Sequence, residues 1–229
     1  MSTRKVPMVT EEYYHVYNRG VEKRDVFLHE DDLNRFLSSL IEFNSKKPIG
    51  SLHERSFIKH DQEGNEPKEK LVNIIAYSLN PNHFHLILQQ ERDGGISEFM
   101  KRLGGGYTGY FNEKYKRSGA LFQGKYKSKH VNSDNYLKHL SAYVNLNFKI
   151  DKLGGRTPKL YRSSWDEYLG DSKESICKKD PILEQFKNIE DYKNYCEESL
   201  KDIISRKKDL EWEDYKKLED LGVGPPSGE

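Results

Sequence analysis

Three apolar runs in the first half of the chain predict β-strands. The first, at residues 13–17, is rich in aromatic and branched residues and stops at the turn sequence 18–20. Residues 71–79 and 83–89 form the other two runs, and only Asn80-Pro81-Asn82 separates them. Because so short a connection joins antiparallel neighbours, the pattern predicts a hairpin whose second strand begins at His83.

Three other segments place apolar residues at the three- and four-residue spacing of a helix. The first covers residues 33–43 and follows the acidic cluster 30–32, whose carboxylates suit a helix N-terminus. The second covers residues 96–111, and the third covers residues 136–148 with Ser133 as its N-cap. The pattern therefore predicts three helices interleaved with the strands.

Gly104-Gly105-Gly106 interrupts the second of these helices. Glycine inside a helix costs roughly 1 kcal/mol relative to alanine, so a run of three needs compensation. We expect the helix either to bend here or to pack closely, against a neighbouring element or a nucleic-acid strand. A phosphate-binding loop is not favoured, because no Gly-Lys-Ser/Thr sequence follows.

Two further segments are less regular. Residues 121–131 alternate imperfectly and predict a strand or extended arm that carries Lys125, Lys127 and Lys129 on one side. Residues 56–58 favour a short strand, whereas the polar stretch 61–70 favours a hairpin tip or an insertion.

The order of these elements predicts an α+β layer sandwich, in which helices flank a central and largely antiparallel sheet. A chain of 229 residues has room for one such domain and an appendage, and we place the domain at residues 1–169. Residues 170–229 are highly charged and too poor in apolar residues for a second core. We expect them to form a helical extension over the domain, with a disordered end.

Charge is distributed unevenly along the chain. Residues 96–131 carry eight Lys and Arg against two Glu, whereas residues 170–229 carry sixteen Asp and Glu against eleven Lys and Arg. A basic centre indicates a polyanionic partner, and an acidic tail indicates a solvated face.

The same composition excludes several classes of protein. No segment is long and apolar enough to span a membrane, and the first ten residues lack the apolar core of a signal peptide. Cys177 and Cys196 are too few and too far apart for a zinc cluster or a disulfide framework. We therefore expect a cytoplasmic protein without a membrane partner.

The sequence His83-Phe84-His85 is the strongest chemical signal. Side chains alternate between the two faces of a strand, so His83 and His85 point the same way and can offer two imidazoles to one divalent cation. The alternative is that both histidines are ordinary polar residues on the solvent face of an amphipathic strand.

Tyr143 and Asn147 lie four residues apart in the third predicted helix and therefore share one face. A phenol with a pKa near 10 is a poor nucleophile at neutral pH and needs assistance. With a divalent cation held by His83, His85 and the Asn147 oxygen, Tyr143 would attack a phosphodiester and form a covalent phosphotyrosine. The alternative for Tyr143 is an aromatic side chain that simply packs on the sheet.

Four ordered segments, at residues 14–20, 80–85, 118–128 and 136–147, resemble the single-tyrosine HUH transposases of bacterial insertion sequences. Among these, the chain is most similar to the REP-associated tyrosine transposases. The resemblance implies a ferredoxin-like HUH layer sandwich and single-stranded DNA as substrate, often with a hairpin.

The resemblance also implies roles for individual residues. His83, His85 and Asn147 would bind magnesium or manganese, and Tyr143 would form a 5′-phosphotyrosine while releasing a 3′-hydroxyl. It implies a metal-dependent endonuclease and strand transferase, and it leaves open whether the protein acts as a monomer or a homodimer.

Basic and aromatic side chains near these segments are candidates for DNA binding, because phosphate neutralisation and base stacking are what single strands require. The candidates are Arg19, Arg102, Lys125, Tyr126, Lys127 and Lys129. The alternative is that the lysines are merely solvated.

Two other functions stay open from the residues alone. One is a metal-dependent phosphohydrolase that uses water in place of tyrosine, and the other is a non-catalytic module that binds single-stranded nucleic acid. Covalent capture of DNA separates the three, since only the transposase-type nuclease forms an adduct.

Overall fold

The computed structural model describes residues 7–47, 69–152, 160–172 and 175–209. The short strand expected at residues 56–58, most of the expected hairpin tip and the expected disordered end lie outside the described residues. No helix in the described ranges is both apolar enough and long enough to cross a membrane.

The centre of the fold is a five-stranded antiparallel sheet with strand order β4-β1-β3-β2-β5. The strands are β1 (Tyr13–Arg19), β2 (Val72–Asn80), β3 (His83–Gln90), β4 (Lys127–Val131) and β5 (Arg162–Ser163). The predicted hairpin is present, because β2 and β3 pair with Asn80 opposite His83. This confirms the predicted α+β class with its antiparallel sheet.

Helices cover both faces of the sheet. They are α1 (Glu30–Glu42), α2 (Gly95–Lys114), α3 (Asp134–Asn145), α4 (Asn147–Lys152), α5 (Trp165–Leu169), α6 (Asp180–Leu183) and α7 (Ile189–Asp209). The α1 residue Phe36 packs on Phe84 of β3, and Tyr107 of α2 packs on Phe36. The α3 residue Tyr143 packs on His85, which points to the opposite face. The sheet therefore separates an apolar face under α1 and α2 from a histidine face under α3.

The strand expected over residues 121–131 is shorter than predicted. Only Lys127–Val131 pairs continuously with β1, while Phe122 makes a single bridge to Gly20. Gly124 lies between them with a φ of +68°, a conformation that no continuous strand adopts. The arm therefore turns at Gly124 before it joins the sheet.

The third predicted helix is also shorter. α3 begins as predicted, since the Ser133 hydroxyl accepts a hydrogen bond from the Tyr136 backbone N–H at 3.2 Å. It ends at Asn145, and Leu146 leaves the helical conformation with φ −105° and ψ 13°. Asn147 is thus the first residue of α4, and the expectation that it shares one helix with Tyr143 is wrong.

The glycine run lies inside α2 without ending it. A β-carbon at Gly106 would lie 2.6 Å from ring atoms of Phe43, so this glycine permits a close helix contact. A β-carbon at Gly104 or Gly105 would meet nothing within 4 Å. Close packing within the described chain thus accounts for one of the three glycines.

The described part of the extension packs on α3. Tyr192 of α7 is fully buried, accepts a hydrogen bond from Asn145 Nδ2 at 2.8 Å and donates one to Ser141 Oγ at 3.3 Å. Tyr168 and Cys196 are buried in the same cluster. The extension therefore contributes to the domain's core and holds the helix that carries Tyr143.

Candidate active site

His83 and His85 occupy the start of β3 and point to the histidine face. They stand opposite Arg19 and Tyr17 of β1, and their side chains are only 4% and 5% exposed. Burial excludes the reading in which the pair lies on a solvent-facing surface.

The surroundings of His83 determine which ring nitrogen carries the proton. Asn82 Nδ2 donates to the Lys23 carbonyl oxygen at 3.2 Å, so Asn82 Oδ1 is the atom that lies 2.7 Å from His83 Nδ1. That amide oxygen can only accept, so Nδ1 carries a proton, and in the neutral imidazole Nε2 then presents a lone pair. Asn147 Oδ1, a second acceptor, lies 3.3 Å from this Nε2.

Asn80 sits between these two acceptors. Its Nδ2 lies 3.2 Å from His83 Nε2 and also donates to Asn147 Oδ1. Asn80 and Asn147 are both fully buried, yet Asn80 Oδ1 and Asn147 Nδ2 have no hydrogen-bond partner among the described residues. Two acceptor atoms, His83 Nε2 and Asn147 Oδ1, therefore meet in a buried space and share one donor, Asn80 Nδ2.

The atoms His83 Nε2 and Asn147 Oδ1 are suitable ligands for a divalent cation. An imidazole lone pair and an amide oxygen that converge on one space are ligands that manganese and magnesium accept. In the described ranges no three His, Cys, Asp or Glu side chains cluster to form a metal site. A cation here would consequently depend on the two histidines and an asparagine.

His85 makes its own side-chain hydrogen bond, to a residue that the sequence reasoning missed. His85 Nδ1 lies 2.9 Å from His15 Nε2, and the two rings stack with centroids 5.1 Å apart. Burial, reinforced by the charge of Lys129, lowers the pKa of His15 to about 3, so this ring is neutral. His15 is 3% exposed. The sequence signal that could have identified His15 is its position in β1, two residues before Tyr17, which lies opposite His85.

Tyr143 projects from α3 onto these rings. Its ring centroid lies 5.5 Å from that of His85 and 6.3 Å from that of His15, edge to face in both cases. The side chain is 2% exposed. The structure therefore brings together Tyr143, His83, His85 and Asn147, although they come from three different elements.

The candidate DNA-binding residues lie in two places on the surface, and Arg102 lies in neither. Arg19 and Lys127 line a small cleft that opens onto His83 and His85, and Lys129 stands opposite His15 in the same sheet face. Lys125 and Tyr126 line a groove on the other side of the arm.

The exception is Arg102. Its guanidinium donates to the Ser45 carbonyl oxygen at 2.6 Å and forms an ion pair with Glu98 on the same helix. Its side chain is 17% exposed. The structure thus distinguishes Arg102 from the other candidates, because its guanidinium already binds Glu98 and the segment after α1.

The site thus consists of an antiparallel sheet with two histidines on one strand and a tyrosine on the facing helix. The family model of IS200-like transposases matches residues 65–147, the segment that contains both histidines, Tyr143 and Asn147. The match covers 83 of the 229 residues of the chain.

Among solved structures, a REP-associated tyrosine transposase bound to a REP hairpin is similar at 12% identity and a TM-score of 0.47. The similarity covers 77% of this chain and 90% of that chain. The comparison with curated proteins gave no match. The similarity of this chain to transposases therefore rests on the family match over residues 65–147.

Proposed function

We propose that this protein cleaves and rejoins single-stranded DNA through a covalent bond to Tyr143. The observation that carries the proposal is the meeting of His83 Nε2, Asn147 Oδ1 and the Tyr143 ring on one face of the sheet. The family match supports it, because these residues lie in the segment that the family model matches.

His83, His85 and Asn147 would hold the cation, magnesium or manganese. When bound, a divalent cation supplies Lewis-acid polarisation of the phosphodiester. Asn82 and His15 act as positioning residues, since each contacts the Nδ1 atom of one of the two histidines. If His85 Nδ1–H donates to His15 Nε2, both histidines present Nε2 lone pairs to the site.

Tyr143 supplies the nucleophile. Its phenolic oxygen forms a bond to phosphorus and loses its proton, while the bond from phosphorus to the 3′-oxygen breaks and that oxygen leaves as a hydroxyl. The protein keeps the 5′-phosphate end, and the released 3′-hydroxyl can attack the phosphotyrosine to rejoin a strand. Arg19 and Lys127 flank the cleft over the histidines and would bind the adjacent phosphates.

The proposed substrate is single-stranded DNA that contains a hairpin. Tyr143 and the histidine pair that would act with it meet within a single chain.

Two end-labelled forms of one hairpin-containing strand test this function. With manganese, a 3′-end label should become attached to the protein and survive boiling in detergent, whereas a 5′-end label should leave on a shorter strand. Tyr143→Phe keeps the ring and should bind DNA without forming the adduct. Tyr107→Phe is the matched control, because Tyr107 is equally buried on the other face of the sheet.

The alternatives give different results. Strand cleavage without an adduct would indicate a hydrolase that uses water, and binding without cleavage would indicate a non-catalytic module. Attachment of the 5′-end label would reverse the proposed polarity.

A further inference from the structure

A groove on the apolar face of the sheet has no part in the chemistry at Tyr143. It encloses about 880 Å³, within the range of roughly 300–1,000 Å³ that is typical of ligand sites. Its floor is apolar and includes Phe84, Leu103 and Phe122, and its rim carries Lys101, Lys125 and Tyr126. No Asp or Glu is among the described residues that line it.

One wall of the groove is formed by Gly104. Nothing within 4 Å would obstruct a β-carbon there, so no contact within the described chain explains this glycine. Met100 and Thr108, one turn away on each side, line the same wall. The absence of a side chain between them leaves a flat surface that a planar ring can approach closely.

The groove and the active-site cleft lie next to each other at the end of β1. Asn18 lines both, and the arm between them sends Gln123 and Lys127 toward the cleft but Gly124 and Lys125 toward the groove. A polyanion that crosses the arm would pass Lys127 on one side and Lys125 on the other. The basic rim and the aromatic side chains match the two features of a nucleic-acid strand, its phosphates and its bases.

We infer that this groove binds an unpaired nucleobase of the DNA strand, next to the segment that enters the cleft. The inference rests on the proposed function for the identity of the ligand. Its base would lie on the apolar floor against Gly104, and Lys101 and Lys125 would hold the flanking phosphates.

The glycines of α2 provide a matched pair of variants. Gly104→Leu places a side chain in the groove, whereas Gly105→Leu places the same side chain on the exposed side of the same helix. Neither β-carbon meets an obstacle, and leucine favours a helix over glycine, so both variants should melt at or above the wild-type temperature.

The probes are a fluorescein-labelled oligothymidine strand and an abasic strand of equal length, whose affinities are measured by anisotropy over a salt series. Wild-type protein and Gly105→Leu should prefer the oligothymidine strand. Gly104→Leu should lose that preference, with a drop on the order of tenfold for oligothymidine and an unchanged salt slope, because stacking is lost while phosphate contacts stay. Equal binding by Gly104→Leu and wild type would overturn the inference, as would an equal loss in Gly105→Leu.

A photocrosslink on wild-type protein gives a second test that no folding defect can obscure. A strand that contains 5-iodouracil should crosslink to Phe122 or Tyr126. Crosslinking confined to Tyr17, in the cleft, would contradict a base in the groove. These readouts do not require cleavage. A negative result would therefore contradict the groove inference without contradicting the Tyr143 adduct, and absence of the adduct would not contradict base binding in the groove.

Discussion

The two faces of the central sheet each bury a tyrosine, in opposite chemical settings. On the apolar face, Tyr107 is fully buried, its hydroxyl donates to the Val26 carbonyl oxygen at 2.6 Å, and burial raises its pKa far above the ordinary value. On the histidine face, Tyr143 is almost as buried, but its ring lies against His85 and His15. Burial alone therefore does not distinguish the two. What separates them is the set of neighbouring metal-ligand candidates.

The strongest test of this contrast removes those candidates. His83→Ala or His85→Ala should reduce DNA cleavage below detection and strongly weaken manganese binding in calorimetry, because each removes an imidazole ligand. His130→Ala is the control, since His130 is an exposed histidine of β4 that contacts Glu12. Full cleavage by His83→Ala in chelator-treated buffer would contradict the metal proposal. Asn147→Ala should be milder, because water can replace one amide ligand.

The next largest effect is expected at His15. His15→Phe keeps a ring but removes the atom that contacts His85 Nδ1, and it should weaken manganese binding by roughly 10- to 100-fold. His15→Gln retains an acceptor and should recover most of the affinity. Nitrogen chemical shifts of His85 without metal provide an independent readout, since the Nδ1-protonated form should dominate in wild type and not in His15→Phe. An unchanged tautomer in His15→Phe would show that His15 does not fix it.

A smaller, uniform effect is expected at the arm. Lys125→Ala combined with Lys127→Ala should weaken binding of every single strand and reduce the slope of log affinity against log salt by about 0.7 per lost phosphate contact. Lys187→Ala combined with Lys201→Ala removes the same charge from exposed positions of the extension and should leave the slope unchanged. Equal slopes for the two double variants would mean that the arm lysines are merely solvated.

The smallest effect is expected on the apolar face. Tyr107→Phe should lower the free energy of unfolding by about 1 kcal/mol, because one buried hydrogen bond is lost and the Val26 carbonyl is left without its partner. Denaturant titration measures the loss. The yield of covalent adduct should not change, and a fall in adduct yield would mean that the two faces are coupled.

The elements of the fold were largely predictable because periodicity depends on neighbours in sequence. The hairpin at Asn80-Pro81-Asn82 and the start of α3 at Ser133 were both correct. The helix end at Asn145 was not, because no Gly or Pro marks it and the bend at Leu146 depends on its surroundings. The arm was predicted as one strand, although Gly124 signalled its turn.

The site was predictable only in part. Residue spacing places His83 and His85 on one face, but their partners depend on which strand lies beside β3. His15 joins the site because β1 lies beside β3, which no local pattern specifies. Asn80 joins it through the predicted hairpin, but the pattern does not show that its amide contacts His83. The contacts of Arg102 were not predictable either, since local positive charge does not show that Glu98 and Ser45 already bind its side chain.

The position of the covalent bond tests the central claim most directly. Wild-type protein is incubated with manganese and a 3′-labelled hairpin strand, digested with protease and sequenced by mass spectrometry. We expect a nucleotide on the peptide that contains Tyr143 and on no other tyrosine. A nucleotide on Tyr107 or Tyr110 would contradict it.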